Sequence, residues 1–277
     1  MNRPGAAPVI DSNLSITDET TGWYYGDDKI YPLDQAKIEI SSDGNRALTI
    51  KVPNGSLEGT LDKMHWHAEM EHGEIDLDMH AFGYPIFNAG SGSFTTCFDK
   101  PFNQYSIPNL HTTGSLKLDG KVFEVKGTSW FDRQWQDEGK DFAGTRWNWG
   151  WMDLHLDNGD VLSLWDMTNR TYKTNQSWAT VQHPDGTQST CYVEPLSENE
   201  HNVWRSEVSG QTYPTGYTVK IPDLDAVLEV RALFKEQELV SKIPFLNKYE
   251  GASTITGTYK GKPVKGYCYV ELLGDWS

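Results

Sequence analysis

Trp151-Met152-Asp153-Leu154-His155-Leu156, the turn Asp157-Asn158-Gly159-Asp160, and Val161-Leu162-Ser163-Leu164-Trp165 together decide the fold. Two short apolar runs flank Asn-Gly, the dipeptide that accepts positive φ at both central positions of a tight hairpin turn. The same punctuation recurs at Asp43-Gly44, Asn54-Gly55, Asp119-Gly120, Asp185-Gly186 and Lys260-Gly261. Gly114-Ser-Leu-Lys-Leu118 and Lys121-Val-Phe-Glu-Val125, on either side of Asp119-Gly120, repeat the pattern. Only Phe234 to Val240 carries good helix formers, and it is too short to hold a helix by itself. The class is therefore all-β, built from antiparallel hairpins.

At 31.3 kDa the chain is long enough for two β domains of ordinary size. The polar, Gly-containing stretch from Gln136 to Gly144 is the natural connection between them, giving domains 1–140 and 141–277. The net charge of -15 repels phosphate backbones, and no Lys/Arg cluster offsets it, so nucleic acid is not an expected partner. Cys97, Cys191 and Cys268 are too widely spaced for a disulfide framework or a metal-binding pair, which suits a reducing compartment. With no apolar leader and no apolar run of membrane-spanning length, the expected location is cytoplasmic, without a transmembrane segment.

Charge and indole interleave in Ser129-Trp130-Phe131-Asp132-Arg133-Gln134-Trp135 and again in Trp147-Asn148-Trp149-Gly150-Trp151-Met152-Asp153. Strand alternation puts Trp130, Asp132 and Gln134 on one face, and Trp147, Trp149, Trp151 and Asp153 together on another. A carboxylate among indoles must either find a cation or hold a proton. That is the chemistry this composition suggests.

These runs carry a resemblance. Gly127 to Trp135 followed by Trp147 to Gly159 resembles the lipocalin-like family of carotenoid 1,2-hydratase (hydroxyneurosporene synthase) and its AttH-like relatives. Tyr105-Ser-Ile-Pro108, Tyr249-Glu-Gly251 and Gly266-Tyr-Cys-Tyr-Val-Glu-Leu-Leu-Gly274 are similar to further family segments, and Trp23-Tyr24-Tyr25 matches loosely. The resemblance implies two lipocalin-like antiparallel β-barrel or sandwich domains packed side by side, with an apolar pocket in or between them. It also implies chemistry without a cofactor or metal, either hydration of an alkene or pericyclic cyclisation of a polyene. In the resembled hydratases an Asp at the position of Asp132 is the proposed proton donor, and the C-terminal glutamates correspond to Glu250 and Glu271. Those hydratases carry His or Asn after the Asp, where this chain has Arg133 and Gln134. A neighbouring guanidinium favours the ionised carboxylate, which tilts the expectation toward cyclisation by shape.

The expected catalytic set is Asp132, Glu250 and Glu271. The expected substrate-binding set is Trp23, Tyr24, His65, Trp66, His67, Tyr105, Trp130, Gln134, Trp147, Trp149 and Trp151, with Met64, Met70 and Cys97 assigned to the core. The run Met64-His65-Trp66-His67-Ala68-Glu69-Met70-Glu71 copies much of a cupin metal motif. Asp78 stands where that motif needs Gly, and no later ligand segment follows, so no metal is assigned. Hydrolase elbows and nucleotide loops do not occur. The sequence thus points to a cofactor-independent cyclase of the Diels–Alderase type acting on a hydrophobic polyene, polyketide or isoprenoid. Acid-catalysed hydration through Asp132 and simple carriage of a hydrophobic ligand are the alternatives.

Overall fold

The computed structural model describes residues 8–96, 101–136 and 145–277, and every strand pairing with a defined register among them is antiparallel. The expected boundary at residue 140 and the side chain of Cys97 lie outside the described residues. Two compact units are interleaved along the chain. One takes the described residues up to 15, with 26–84 and 107–131. The other takes 16–25 and the described parts of 85–106 and 132–277. Among the described residues no helix is long and apolar enough to cross a membrane.

A first hairpin, β1 (Val9–Asp18) and β2 (Trp23–Pro32), precedes a larger sheet. That sheet contains β3 (Lys37–Ile40), β4 (Leu48–Val52), β5 (Gly55–Gly59), β6 (Lys63–Met70), β7 (Gly73–Ala81), β10 (Pro101–Leu118) and β11 (Lys121–Gln136), in the order β11-β10-β7-β6-β5-β4-β3. Two short strands, β8 (Ile86–Phe87) and β9 (Ser93–Thr95), pair with β10. Strand alternation sorts the first unit's part of this sheet by chemistry. Met64, Met79, Ile107 and Leu110 are buried on one face, with Leu57, Trp66 and Phe131 packed against them. His65, His67 and Glu69 point the other way, since successive side chains of a strand alternate.

The second unit is dominated by β12 (Trp147–Leu156), β13 (Val161–Asn169), β14 (Thr174–Gln182), β15 (Gln188–Tyr192), β16 (Glu200–Arg205), β17 (Thr212–Ile221), β18 (Ala226–Ala232), β19 (Glu238–Leu239), β20 (Lys248–Tyr259) and β21 (Lys262–Gly274). The strand order is β15-β14-β13-β12-β21-β20-β18-β17-β16, with β19 on β20. The sheet curls until the Glu194 backbone N–H donates to the Lys220 carbonyl at 3.0 Å, joining the chain beyond β15 to β17. Inside the curl lies a continuous core that includes Met152, Leu154, Leu164, Val181, Tyr217, Leu228, Ile255 and Leu272. Asp119-Gly120 and Lys260-Gly261 take positive φ at both residues, as the tight turns demand.

Candidate active site

Because Met152, Leu154 and Leu156 fill the core, the intervening Trp147, Trp149, Trp151 and Asp153 must point to the opposite face of the sheet. Register then builds a row that no local stretch of sequence contains. Trp178 of β14 stands opposite Trp165 of β13, which stands opposite Trp151 of β12. Trp151 stands opposite Glu271 of β21, and Glu271 opposite Glu250 of β20. The adjoining row runs Gln176, Met167, Trp149, Leu273, Lys248. An aromatic surface thus ends in a pair of carboxyls and an ammonium.

Ring contacts make the surface continuous. Trp147 lies 5.7 Å from Trp149, Trp149 lies 6.2 Å edge-on to Trp165, and Trp165 stacks on Trp178 at 6.5 Å. Phe94 packs on both Trp165 and Trp178, at 6.0 and 5.0 Å, and on Phe102. Trp151 is locked in place, its indole N–H donating to Ser163 Oγ at 3.1 Å while Ser163 donates to Asn88 Oδ1 at 2.7 Å. By contrast the indole nitrogens of Trp165 and Trp178, and the amide oxygens of Gln104 and Gln176, are buried without a hydrogen-bond partner among the described residues. Buried polar groups of this kind lose roughly 1–3 kcal/mol each unless something pairs with them.

At the acidic end, Lys248 Nζ lies 2.6 Å from Glu250 Oε1 and 3.8 Å from Glu271 Oε2. The other oxygen of Glu271 accepts the Trp149 indole N–H at 3.0 Å. Burial pushes the Glu250 carboxyl up to about 7; Lys248 opposes the shift and the nearby Glu271 adds to it. Asp153, on the same face, is also raised by burial, but it is tied to the backbone N–H of Tyr269 and lies 3.8 Å from His155. Glu200 is pushed to about 7 as well, chiefly by burial, with Arg170 opposing and Asp166 reinforcing. It stands opposite Tyr217, a residue of the filled interior, and so shares that side of the sheet.

The expected residues separate under this geometry. Trp147, Trp149, Trp151, Glu250 and Glu271 converge on one face of the second unit. Trp23 and Tyr24 are half-buried on β2, where Trp23 stacks on Tyr25 at 5.9 Å. Tyr105 meets Trp135 edge-on at 6.2 Å. On β11, Trp130 is half-buried while Asp132 and Gln134 are exposed, and the Arg133 guanidinium lies over the Trp135 ring. Trp66 packs into the first unit's core, whereas His65 and His67 face away from it, so these three do not form one surface. Met64 and Met70 are buried. Lys248 and the cross-strand Trp165 and Trp178 were not anticipated; the alternation Lys248-Tyr249-Glu250 was the available signal for the first.

Curled antiparallel sheets closed around a packed interior define a lipocalin-like β protein. The chain belongs to the AttH-like family, whose model matches residues 6–275. It is 28% identical over 208 residues to the dehydratase asqC of Emericella nidulans, a match covering 72% of this chain and 58% of that protein. The match therefore spans less than two thirds of that relative. In fold, the chain is similar to kievitone hydratase from Nectria haematococca, with TM-score 0.79, 22% identity, and coverage of 97% of this chain and 83% of that one. A putative AttH from Nitrosomonas europaea gives TM-score 0.80 at 22% identity, covering 96% and 80%.

Proposed function

We propose that this protein is a cofactor-independent lyase that adds water to, or removes it from, a hydrophobic small molecule, with Glu250 as the proton-transferring group. The observation that carries the reading is the Glu250 carboxyl, buried at the end of an indole row opposite Glu271 and beside Lys248; that burial pushes it up to about 7. A catalytic acid works best when its proton affinity lies near the working pH. In the dehydration direction Glu250 gives its proton to a leaving hydroxyl, the C–O bond breaks, and water departs. A proton is then lost from the adjacent carbon to the Glu271 carboxylate, and the C–C double bond forms. Hydration is the reverse sequence. Cationic character at carbon is met by the faces of Trp149 and Trp165, each contributing ~0.5–2 kcal/mol.

The unpartnered Trp165 and Trp178 N–H groups and the Gln104 and Gln176 carbonyls suit a substrate that carries oxygen as well as an unsaturated skeleton. Relatives named dehydratase and hydratase support water chemistry over cyclisation by shape. The test is incubation with hydrophobic tertiary and allylic alcohols, and with their alkenes, in heavy-oxygen water. The expected product differs from its substrate by the mass of one water and carries the label in the hydration direction. Isomeric products of unchanged mass in which a C–C double bond has been replaced by a new ring would instead point to cyclisation.

A further inference from the structure

The His65–Glu71 stretch is not used by the proposed reaction, yet the fold gives it partners that its own sequence lacks. Strand β7 sets Asp78 opposite His65, Asp76 opposite His67 and Glu74 opposite Glu69, all on the face turned away from the first unit's core. His67 is thereby held at both ring nitrogens, with Nε2 3.4 Å from Glu69 Oε1 and Nδ1 3.3 Å from Asp76 Oδ2. One ligand atom each from His67, Glu69 and Glu74 falls within a common 4.8 Å. Two ligands about 2.1 Å from a tetrahedral ion lie about 3.4 Å apart, so the His67–Glu69 separation fits a shared metal better than a short hydrogen bond.

Two further features point the same way. Metal-bound histidines characteristically donate their second ring N–H to a carboxylate, and Asp76 occupies that position on His67. Glu69 and Glu74 also open into a hollow of about 390 Å³ whose rim includes Glu71, His72, Asp119 and Lys117. Lys117, also at this rim, lies 3.4 Å from Glu74 Oε2. The chain's net charge of -15 favours cations generally. We propose that His67, Glu69 and Glu74 form a binding site for a divalent transition-metal ion of the zinc class, with Asp76 orienting His67 and Lys117 competing for Glu74.

Calorimetric titration of the whole chain with zinc, after chelator treatment and removal of the chelator, tests this. The expected result is one ion per chain, bound at least tenfold more weakly by His67→Ala and by Glu74→Gln. Asp76→Asn should weaken binding by about 10–100-fold, as loss of an orienting carboxylate does. Lys117→Met should tighten it, a sign that a merely structural role for these residues would not give. Cobalt should develop the intense visible bands of tetrahedral coordination, absent in His67→Ala. Zinc uptake that does not saturate, or that is unchanged in His67→Ala and Glu74→Gln folded like the parent, would overturn the site.

Discussion

Two sheet faces in this molecule carry acids beside bases, and they differ in what surrounds them. On the first unit's polar face, Lys51 meets Glu58 at 2.8 Å with both side chains well exposed, and water screens their attraction. On the second unit's indole face, Lys248 meets Glu250 at a similar distance, but Glu250 is only 7% exposed. Burial costs the charged form more than the partner returns, so Glu250 keeps a proton near neutrality. An acid–base pair of the same composition is a screened surface pair in one place and, in the proposed reaction, a reagent in the other.

The sharpest way to break this comparison is Glu250→Gln, which keeps shape while removing the transferable proton. Turnover should fall about 10²–10⁴-fold with little change in substrate affinity. The wild-type rate in the direction requiring the protonated acid should decline above about pH 7, and the variant should lack that limb. Stability carries the same signature. Between the ordinary glutamate value of 4.5 and about 7, the folded protein holds a proton that the unfolded chain releases. Stability therefore falls as pH rises through that window and levels off above it, and denaturant titrations of Glu250→Gln should lose the slope.

Trp149→Phe keeps an aromatic face but removes the donor that holds Glu271. Its expected cost is about tenfold in turnover, the worth of one hydrogen bond to a charged group. Asp132→Asn should change turnover only a few-fold, because Asp132 is exposed on β11 rather than enclosed with the indole row. A loss equal to that of Glu250→Gln would transfer the acid role to Asp132. Smallest of all, Glu58→Gln in the exposed pair should alter unfolding free energy by less than about 1 kcal/mol.

Much of the fold was legible because hairpin turns are local chemistry. Asp43-Gly44, Asn54-Gly55, Asp119-Gly120, Asn158-Gly159, Asp185-Gly186 and Lys260-Gly261 each join neighbouring antiparallel strands. The shared face of Trp147, Trp149 and Trp151 was equally legible, since strand alternation fixes it. The rest of the site depends on register between strands far apart in sequence. Nothing near residue 151 reveals that Glu271 and Glu250 complete its row, whereas Trp165 opposite Trp151, and Asp76 and Glu74 opposite His67 and Glu69, follow from the register of a neighbouring hairpin. The family resemblance drew attention to Asp132, whose exposure is set by where β11 runs and not by its neighbours in sequence. Cyclisation was favoured on the Arg133 neighbour, an argument about Asp132 that does not bear on the buried Glu250.

Direct titration of the Glu250 carboxyl tests the central claim. With glutamate side-chain carboxyls carbon-13 labelled, the resonance missing from Glu250→Gln should titrate near pH 7 in the folded protein. A midpoint at or below the ordinary glutamate value would show that Lys248 prevails over burial, and Glu250 could not then be the acid.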